Sequence, residues 1–395
     1  MKYFAAVLSL LLSCFTVIHG DQLKAVVAIV NHGDTIPSKF YPNDPYQDPE
    51  IWQKPLGQLS NLGEQQSFAV GQWFLKRYIL KNPFISLQYN ASQIYTYAED
   101  RDESLMSAEC IMAGFLPPVA DEIWNRKLPW RPTPVHNAPL FLDYSIGRGV
   151  GCPRFEQEAI KVIHGRYYRT HNKEEKNLLQ YLTAETGKKF TNIGQIPALY
   201  NILQVEQNHN LTLPQWTESV FPELLGKIVL EDSILRTKNP ELATLSIGPL
   251  FFQIAKQFQD VIDNSPKVGV SLGDIRKFRL FVANSSLIYD TLHALKVPSV
   301  GVVPFSATLI FELWEAPEGT NYVKLIYRNS PALHAAAKTL KIGGCKAVKC
   351  PYPTFNSTIN NFAVNFTQWE NLCNRPVATT AVNEVLPAQP TNVTA

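Results

Sequence analysis

The sequence predicts an α/β fold: a mostly parallel twisted sheet flanked by helices, with a helical cap inserted into it. Two observations carry that expectation. Apolar runs of strand length alternate along the chain with segments whose apolar residues recur at helical spacing. Three of the runs end in polar loops, Asn31–Asp34, Ala98–Asp102 and Asn284–Ser286. Loops of that kind gather at the carboxyl edge of a parallel sheet, where ligands bind.

Taken in order, the chain opens with Lys2 and an apolar run from Phe4 to Ile18 that closes near Gly20. The run is too short for an anchor and a polar segment follows at once. Residues 1–20 therefore read as a secretory signal peptide, and the mature chain, beginning near Asp21, as extracellular. Ala25–Val30 is a continuous β-rich run, consistent with a buried strand. Phe68, Val70, Trp73, Phe74 and Tyr78 place a helix over about Asn61–Leu80. Gln93–Ala98 reads as a strand. A helix follows over Glu99–Leu116, and its leading acids, Glu99, Asp100, Asp102 and Glu103, suit the positive end of the macrodipole. Phe278–Asn284 is a further strand leading into a helix over Ser286–Leu295, and Ala307–Ala316 with Asn321–Asn329 looks like a hairpin. Residues 21–152 and 246–374 are expected to form the α/β core. The helical patterns of 153–245 form the cap, and the Pro-, Thr-, Ala- and Asn-rich tail 375–395 is expected to be disordered.

A net charge of +2 on a chain this long gives no reason to invoke nucleic acid, and no later run is long and apolar enough to span a bilayer. No metal or cofactor is implied. Of the six cysteines, Cys14 leaves with the signal. Secretion permits disulfides. Cys345 and Cys350 are close enough for a local loop, Cys152 with Cys373 would tie the middle of the chain to its end, and Cys110 is left as a buried thiol in a helix. Glycosylation sequons occur at Asn90, Asn210, Asn284, Asn356, Asn365 and Asn392.

Asn31-His32-Gly33-Asp34-Thr35-Ile36-Pro37, at the mouth of the first strand, resembles the first motif of the histidine acid phosphatases, Arg-His-Gly-x-Arg-x-Pro. Tyr97-Ala98-Glu99-Asp100-Arg101-Asp102-Glu103-Ser104-Leu105-Met106-Ser107-Ala108 is similar to that family's Arg-Ser-Thr-Asp-x-Asp-Arg-Thr-Leu-Met-Ser-Ala. Ala283-Asn284-Ser285-Ser286 stands where the family has Ala-His-Asp-Thr, and the segments around His136 and Cys152 look alike. The resemblance covers most of the mature chain. It implies the disulfides Cys152–Cys373 and Cys345–Cys350. It also implies a nucleophile at His32 that would become a phosphohistidine. The family's arginines then fall at Asn31, Thr35 and Tyr97, its second histidine at Asn284, and its proton-donating aspartate at Ser285.

Phosphoryl transfer depends on positioning and on stabilising spread negative charge. One preorganised donor is worth ~10²–10³ in rate and a general acid roughly 10²–10⁴. With those groups absent, the resemblance implies a chain that has lost catalysis, with His32 left as a relic that satisfies hydrogen bonds at the strand end. Asn284 would lie at a pocket edge, so its sequon is expected to be unused. The replacements also reverse the local charge, because Asp34, Glu99, Asp100 and Glu103 stand in or beside loops that ordinarily hold an anion. An acid beside an aromatic ring is a receptor for an ammonium on an aromatic body. The expected ligand-binding residues are therefore His32, Asp34, Tyr97, Glu99, Asp100, Asn284 and Ser285. A secreted, inactivated phosphatase also resembles the salivary acid-phosphatase-like proteins of blood-feeding insects, fleas especially. That resemblance implies a scavenger of small mediators: biogenic amines such as serotonin, and cysteinyl leukotrienes, which would need Lys or Arg contacts and an apolar channel. Residual phosphatase activity through His32, and a surface-acting interaction protein, are the competing expectations.

Overall fold

The computed structural model describes residues 20–263 and 277–374. All but the last residue of the predicted signal peptide lies outside the described residues, as does the predicted disordered tail. In chain order the elements begin with β1 (Gln22–Asn31), α1 (Asn61–Leu75), β2 (Ile94–Ala98) and α2 (Asp102–Phe115). Then come α3 (Pro153–Ile163), α4 (Arg166–Glu174), α5 (Lys176–Thr186), α6 (Ile196–Asn208), α7 (Glu223–Ser233) and α8 (Pro240–Asp263). The chain continues through β3 (Phe278–Ala283), α9 (Ser285–Ala294), β4 (Thr308–Glu315), β5 (Asn321–Arg328), β6 (Lys338–Leu340) and β7 (Cys350–Pro351) to α10 (Tyr352–Asn360) and α11 (Phe366–Leu372).

The strands form one sheet in the order β2-β3-β1-β4-β5-β6, with β7 also pairing β5. The sheet is mixed, which corrects the expectation of a mostly parallel one. β2, β3 and β1 run parallel; from β4 onward every pairing is antiparallel. For β4 and β5 the reason is the connection. A short turn, closed by the Ala316 N–H donating to the Thr320 carbonyl, joins β4 to β5 and admits only an antiparallel partner. The three parallel strands reach one another through helical crossovers, so their carboxyl ends share an edge.

β1 is buried from Ala25 to Asn31. Alternate residues serve opposite faces of the sheet. Val26, Ala28 and Val30 pack with Val70, Phe74 and Ile111 of α1 and α2; Ala25, Val27 and Ile29 pack with Ile247, Leu250, Phe251 and Leu287 of α8 and α9. That is why the run is continuously apolar instead of alternating. Phe74, Phe115 and Phe278 meet with centroids 5.6, 5.3 and 5.0 Å apart. Each such side chain contributes about 1.5–3 kcal/mol by its burial.

Helices α3 to α7 carry an apolar cluster of their own, Leu178, Leu182, Leu199, Leu203, Leu225 and Ile228 among them, joined by Tyr41 from the loop after β1. The predicted boundary at 245/246 falls inside a helix: α8 runs unbroken from Pro240, and its second half lies under the sheet. Two disulfides are present, Cys152–Cys373 and Cys345–Cys350, with Cα atoms 5.0 and 5.3 Å apart. The first ties the start of α3 to the end of α11. Cys110 is a free thiol, half-buried where full burial was expected, and the burial pushes its pKa up to about 11.

Candidate functional site

The His32 loop is fixed by contacts that reach back to the sequence. The His32 N–H donates to the Ala283 carbonyl at the end of β3 (2.9 Å), and its own carbonyl accepts from Ser306 N–H before β4 (2.9 Å). Gly33 then crosses the first turn of α1 at Gly63; a Cβ on Gly33 would lie 2.3 Å from the Gly63 carbonyl oxygen. Only glycine admits that approach. The Gly33 N–H donates to Ser107 Oγ of α2 at 3.0 Å. The histidine is thus pinned between α1 and α2 at the meeting point of three strands.

Around it lies a pocket of about 240 Å³. The parallel strands and their loops supply Asn31, His32, Thr35, Asn284 and Ser285; α2 supplies Glu103; Phe305 and Ile36 form apolar wall; and Asn201 and Gln204 enter from α6. Among the described residues no lysine or arginine lines it. The His32 ring hydrogen-bonds through Nδ1 with the Gly33 carbonyl (2.8 Å) and lies 5.7 Å from the Phe305 ring. Asn31 is buried; its amide donates to the Pro304 carbonyl (2.8 Å), and its Oδ1 has no partner.

Asn284 is the N-cap of α9, its Oδ1 accepting from Ser286 N–H at 3.0 Å. The same oxygen accepts from Arg148 (3.2 Å), while Nδ2 donates to Glu99 Oε2 (3.2 Å). All these contacts occupy the amide. Arg148 is the cation nearest by contact. Its side chain is only 12% exposed, it pairs with buried Asp290 at 3.0 Å, and it stands behind Asn284, outside the lining.

Four expected ligand contacts are corrected. Asp34 is fully buried and turned away from the pocket: Oδ1 accepts from Ser60 (2.7 Å) and pairs with His209 (2.7 Å), and Oδ2 accepts from Asn208 (2.9 Å). Tyr97 points into the apolar face that holds Phe281 and Ile247, and its hydroxyl hydrogen-bonds Asp143. Burial and that carboxyl push the phenol's pKa far up. Asp143 itself is raised to about 6 by burial, although Ser145 N–H (2.8 Å) and Ile146 N–H (3.1 Å) donate to it. A strand residue one register from the pocket faces whichever side its parity dictates, and that of Tyr97 is the core. Glu99 is buried behind Asn284, holding its amide and Arg101 (3.3 Å). Asp100 is exposed and accepts from Asn137 at 2.6 Å.

The carboxylate that lines the pocket is Glu103, in the first turn of α2. Its side chain has no hydrogen-bond or ion-pair partner among the described residues. The sequence marks it as one of four acids at a helix start, without a signal that separates it from the other three. Asn201 and Gln204 carry no sequence signal, since they lie in an amphipathic helix far from the motifs. A half-open cavity walled by neutral amides and hydroxyls, with one unpaired carboxylate and one aromatic ring, can hold a small organic cation. It supplies little to stabilise a multiply charged anion.

The sequence profile of the histidine phosphatase superfamily (branch 2) matches residues 9–328. Human lysosomal acid phosphatase is 30% identical over 361 residues, covering 89% of this chain and 81% of its own length. Honeybee (Apis mellifera) venom acid phosphatase Acph-1 is 30% identical over 349 residues, covering 86% of this chain and 85% of its own. Among solved structures, the Hafnia alvei phytase in complex with tartrate aligns with a TM-score of 0.67 at 19% identity, over 90% of this chain and 99% of the phytase, which is a likeness of fold.

Proposed function

The chain belongs to the histidine phosphatase superfamily, branch 2, and from that premise we propose that it is a secreted, catalytically inactive member that binds small amines in the strand-end pocket. One observation carries the reading. The positions that hold an anion in the resembling motifs are Asn31, Thr35, Tyr97 and Asn284, that of the proton donor is Ser285, and among the described residues the pocket contains no arginine but an unpaired Glu103. The ammonium of a biogenic amine such as serotonin pairs with Glu103, its ring lies toward Phe305, and the amides of Asn201, Gln204 and Asn31 meet its polar substituents. The biological role is then capture of host mediators, as in the salivary acid-phosphatase-like proteins of blood-feeding insects. The predicted leader and a relative named for venom support release from the cell.

An amphipathic anion such as a cysteinyl leukotriene needs different chemistry. A recess of about 420 Å³ between α7 and α9, lined by Leu230, Ile234, Tyr289 and Leu292 together with Lys227 and His293, supports a second reading in which such a ligand's apolar tail enters there. Titration calorimetry tests the primary proposal. Wild type should give heat with serotonin or histamine, Glu103→Gln should not, and a chromogenic phosphate ester should turn over at the blank rate. No heat and no thermal shift with any amine removes the amine reading. Turnover that disappears in His32→Ala removes the claim of inactivity.

A further inference from the structure

α6 is the roof of the pocket. Asn201 and Gln204 face the cavity, Val205 packs with Ile36 and Phe305, and Leu199 and Leu203 face the opposite way into the helical cluster. Its carboxyl end is fastened to the loop after β1 at two places. One is ordinary: Asn208 and His209 hold Asp34 at 2.9 and 2.7 Å. The other is not. Glu206 is fully buried, and among the described residues no N–H or O–H donor reaches either of its carboxyl oxygens. Asp44 faces it from the loop; its Oδ1 accepts from Tyr46 N–H at 2.8 Å, and its Oδ2 is likewise without a donor. The Tyr41 hydroxyl, beside both, is buried and unpartnered.

Two carboxyl groups in hydrogen-bond contact, with no other donor placed on the facing oxygens, are satisfied by sharing a proton. The groups acting on the pair are Tyr41 and Tyr46 of the loop and the two acids themselves; among the described residues no cation acts on either acid. Asp34 and His209, a turn further on, are in contact with each other at 2.7 Å.

We propose that the Asp44–Glu206 pair is a proton-held latch that positions α6 over the pocket, closed while the shared proton is present and released when it leaves. Ionising the pair sets two negative charges together in a buried space, and parting α6 from the loop is the relaxation open to them. Glu206 is pushed up to about 8 by burial and by Asp44 beside it, so release falls on the alkaline side of neutrality. The sign follows. A carboxyl whose folded pKa lies above its unfolded value stabilises the fold fully below the unfolded value and loses that contribution as pH rises through the folded one. Asp44 and Glu206 are positioning residues, since they act on ligand through Asn201 and Gln204. The consequence for ligand rests on the amine reading; the latch itself does not.

Amide hydrogen exchange of the full chain, divided by intrinsic rates, tests the latch. Between about pH 7 and about pH 9, peptides within 196–208 should exchange about tenfold faster in wild type, and those of β1 should not change. In Glu206→Gln the amide donates to Asp44 at every pH, so the step should vanish. Asp44→Asn does the same from the other side and serves if the first variant fails to fold. Equal corrected rates at both pH values in wild type, or a step that persists in the variants, overturns the latch. Serotonin affinity should fall over the same range in wild type and not in the variants. An equal fall in all three overturns the coupling to ligand. Absence of serotonin binding at every pH removes the amine reading, and exchange alone then decides the latch.

Discussion

Glu312 and Glu103 show the two halves of the sheet put to opposite use. Glu312 lies on β4 in the antiparallel half, fully buried. It takes Arg77 at 2.7 and 2.8 Å, the Tyr78 hydroxyl at 2.7 Å and Trp314 Nε1 at 3.0 Å. Both carboxylate oxygens have donors, three on Oε1 and one on Oε2, and the group closes the seam between the sheet and the end of α1. Glu103 lies at the carboxyl edge of the parallel half, half-exposed, with no partner among the described residues. The contrast separates a carboxylate spent on the fold from one held available. Antiparallel hairpins bring their own neighbours into register and leave few groups over. Parallel strands end together, and their loops must find partners or face a cavity.

The largest expected effect breaks the first half of this comparison. Glu312→Ala leaves Arg77 without its buried counter-ion and should destabilise the fold by about 3–5 kcal/mol, read from denaturant midpoints. Glu103→Gln should cost nothing measurable there, but about 2–5 kcal/mol in amine affinity, with an uncharged analogue hardly affected. Equal stability losses in the two variants would break the distinction.

The Tyr97–Asp143 contact sharpens it, because here a residue expected in the site lies in the core. Asp143, near 6 when folded against an ordinary 3.8, contributes stability that is full below the unfolded value and lost as pH rises through about 6. Asp143→Asn should flatten that stretch of the stability–pH curve, an effect of order 1–3 kcal/mol between about pH 4 and 7, and leave amine binding unchanged. The smallest expected effect is that of Asp100→Asn. Exposed and held by Asn137, Asp100 should change neither stability nor affinity by more than about 0.5 kcal/mol. A clear loss of amine binding there would return the site to the loop acids.

Three parallel strands, the β4–β5 hairpin and the helices beginning at Asn61, Asp102 and Ser285 were legible because each is a local pattern of burial. The π-helical turn Lys76–Lys81 that extends α1 was not, since its spacing is close to that of an ordinary helix. The cysteine pairs followed from spacing and resemblance together. For the site, the sequence places His32, Asn31, Thr35, Asn284 and Ser285 on loops at the ends of β1 and β3, and all of them line the pocket. It could not say which acid faces inward. Asp34, Glu99, Asp100 and Glu103 all sit in motif loops, and their fates were decided by neighbours from α1, α6, the Asn137 loop and α9.

The chain by itself determined what is periodic or adjacent: the α/β class, the strand ends that meet, and the neutral side chains of Asn31, Thr35, Asn284 and Ser285 at those ends. The tertiary structure alone decided the antiparallel docking of β4 on β1, the core-facing turn of Tyr97, the burial of Asp34 under His209 and the arrival of Asn201 and Gln204 over the cavity. Hydrophobic periodicity reports which face of an element is dry. A polar side chain goes wherever a donor or acceptor awaits it, and those partners can lie far along the chain, 175 residues for Asp34 with His209 and 273 for Asn31 with Pro304.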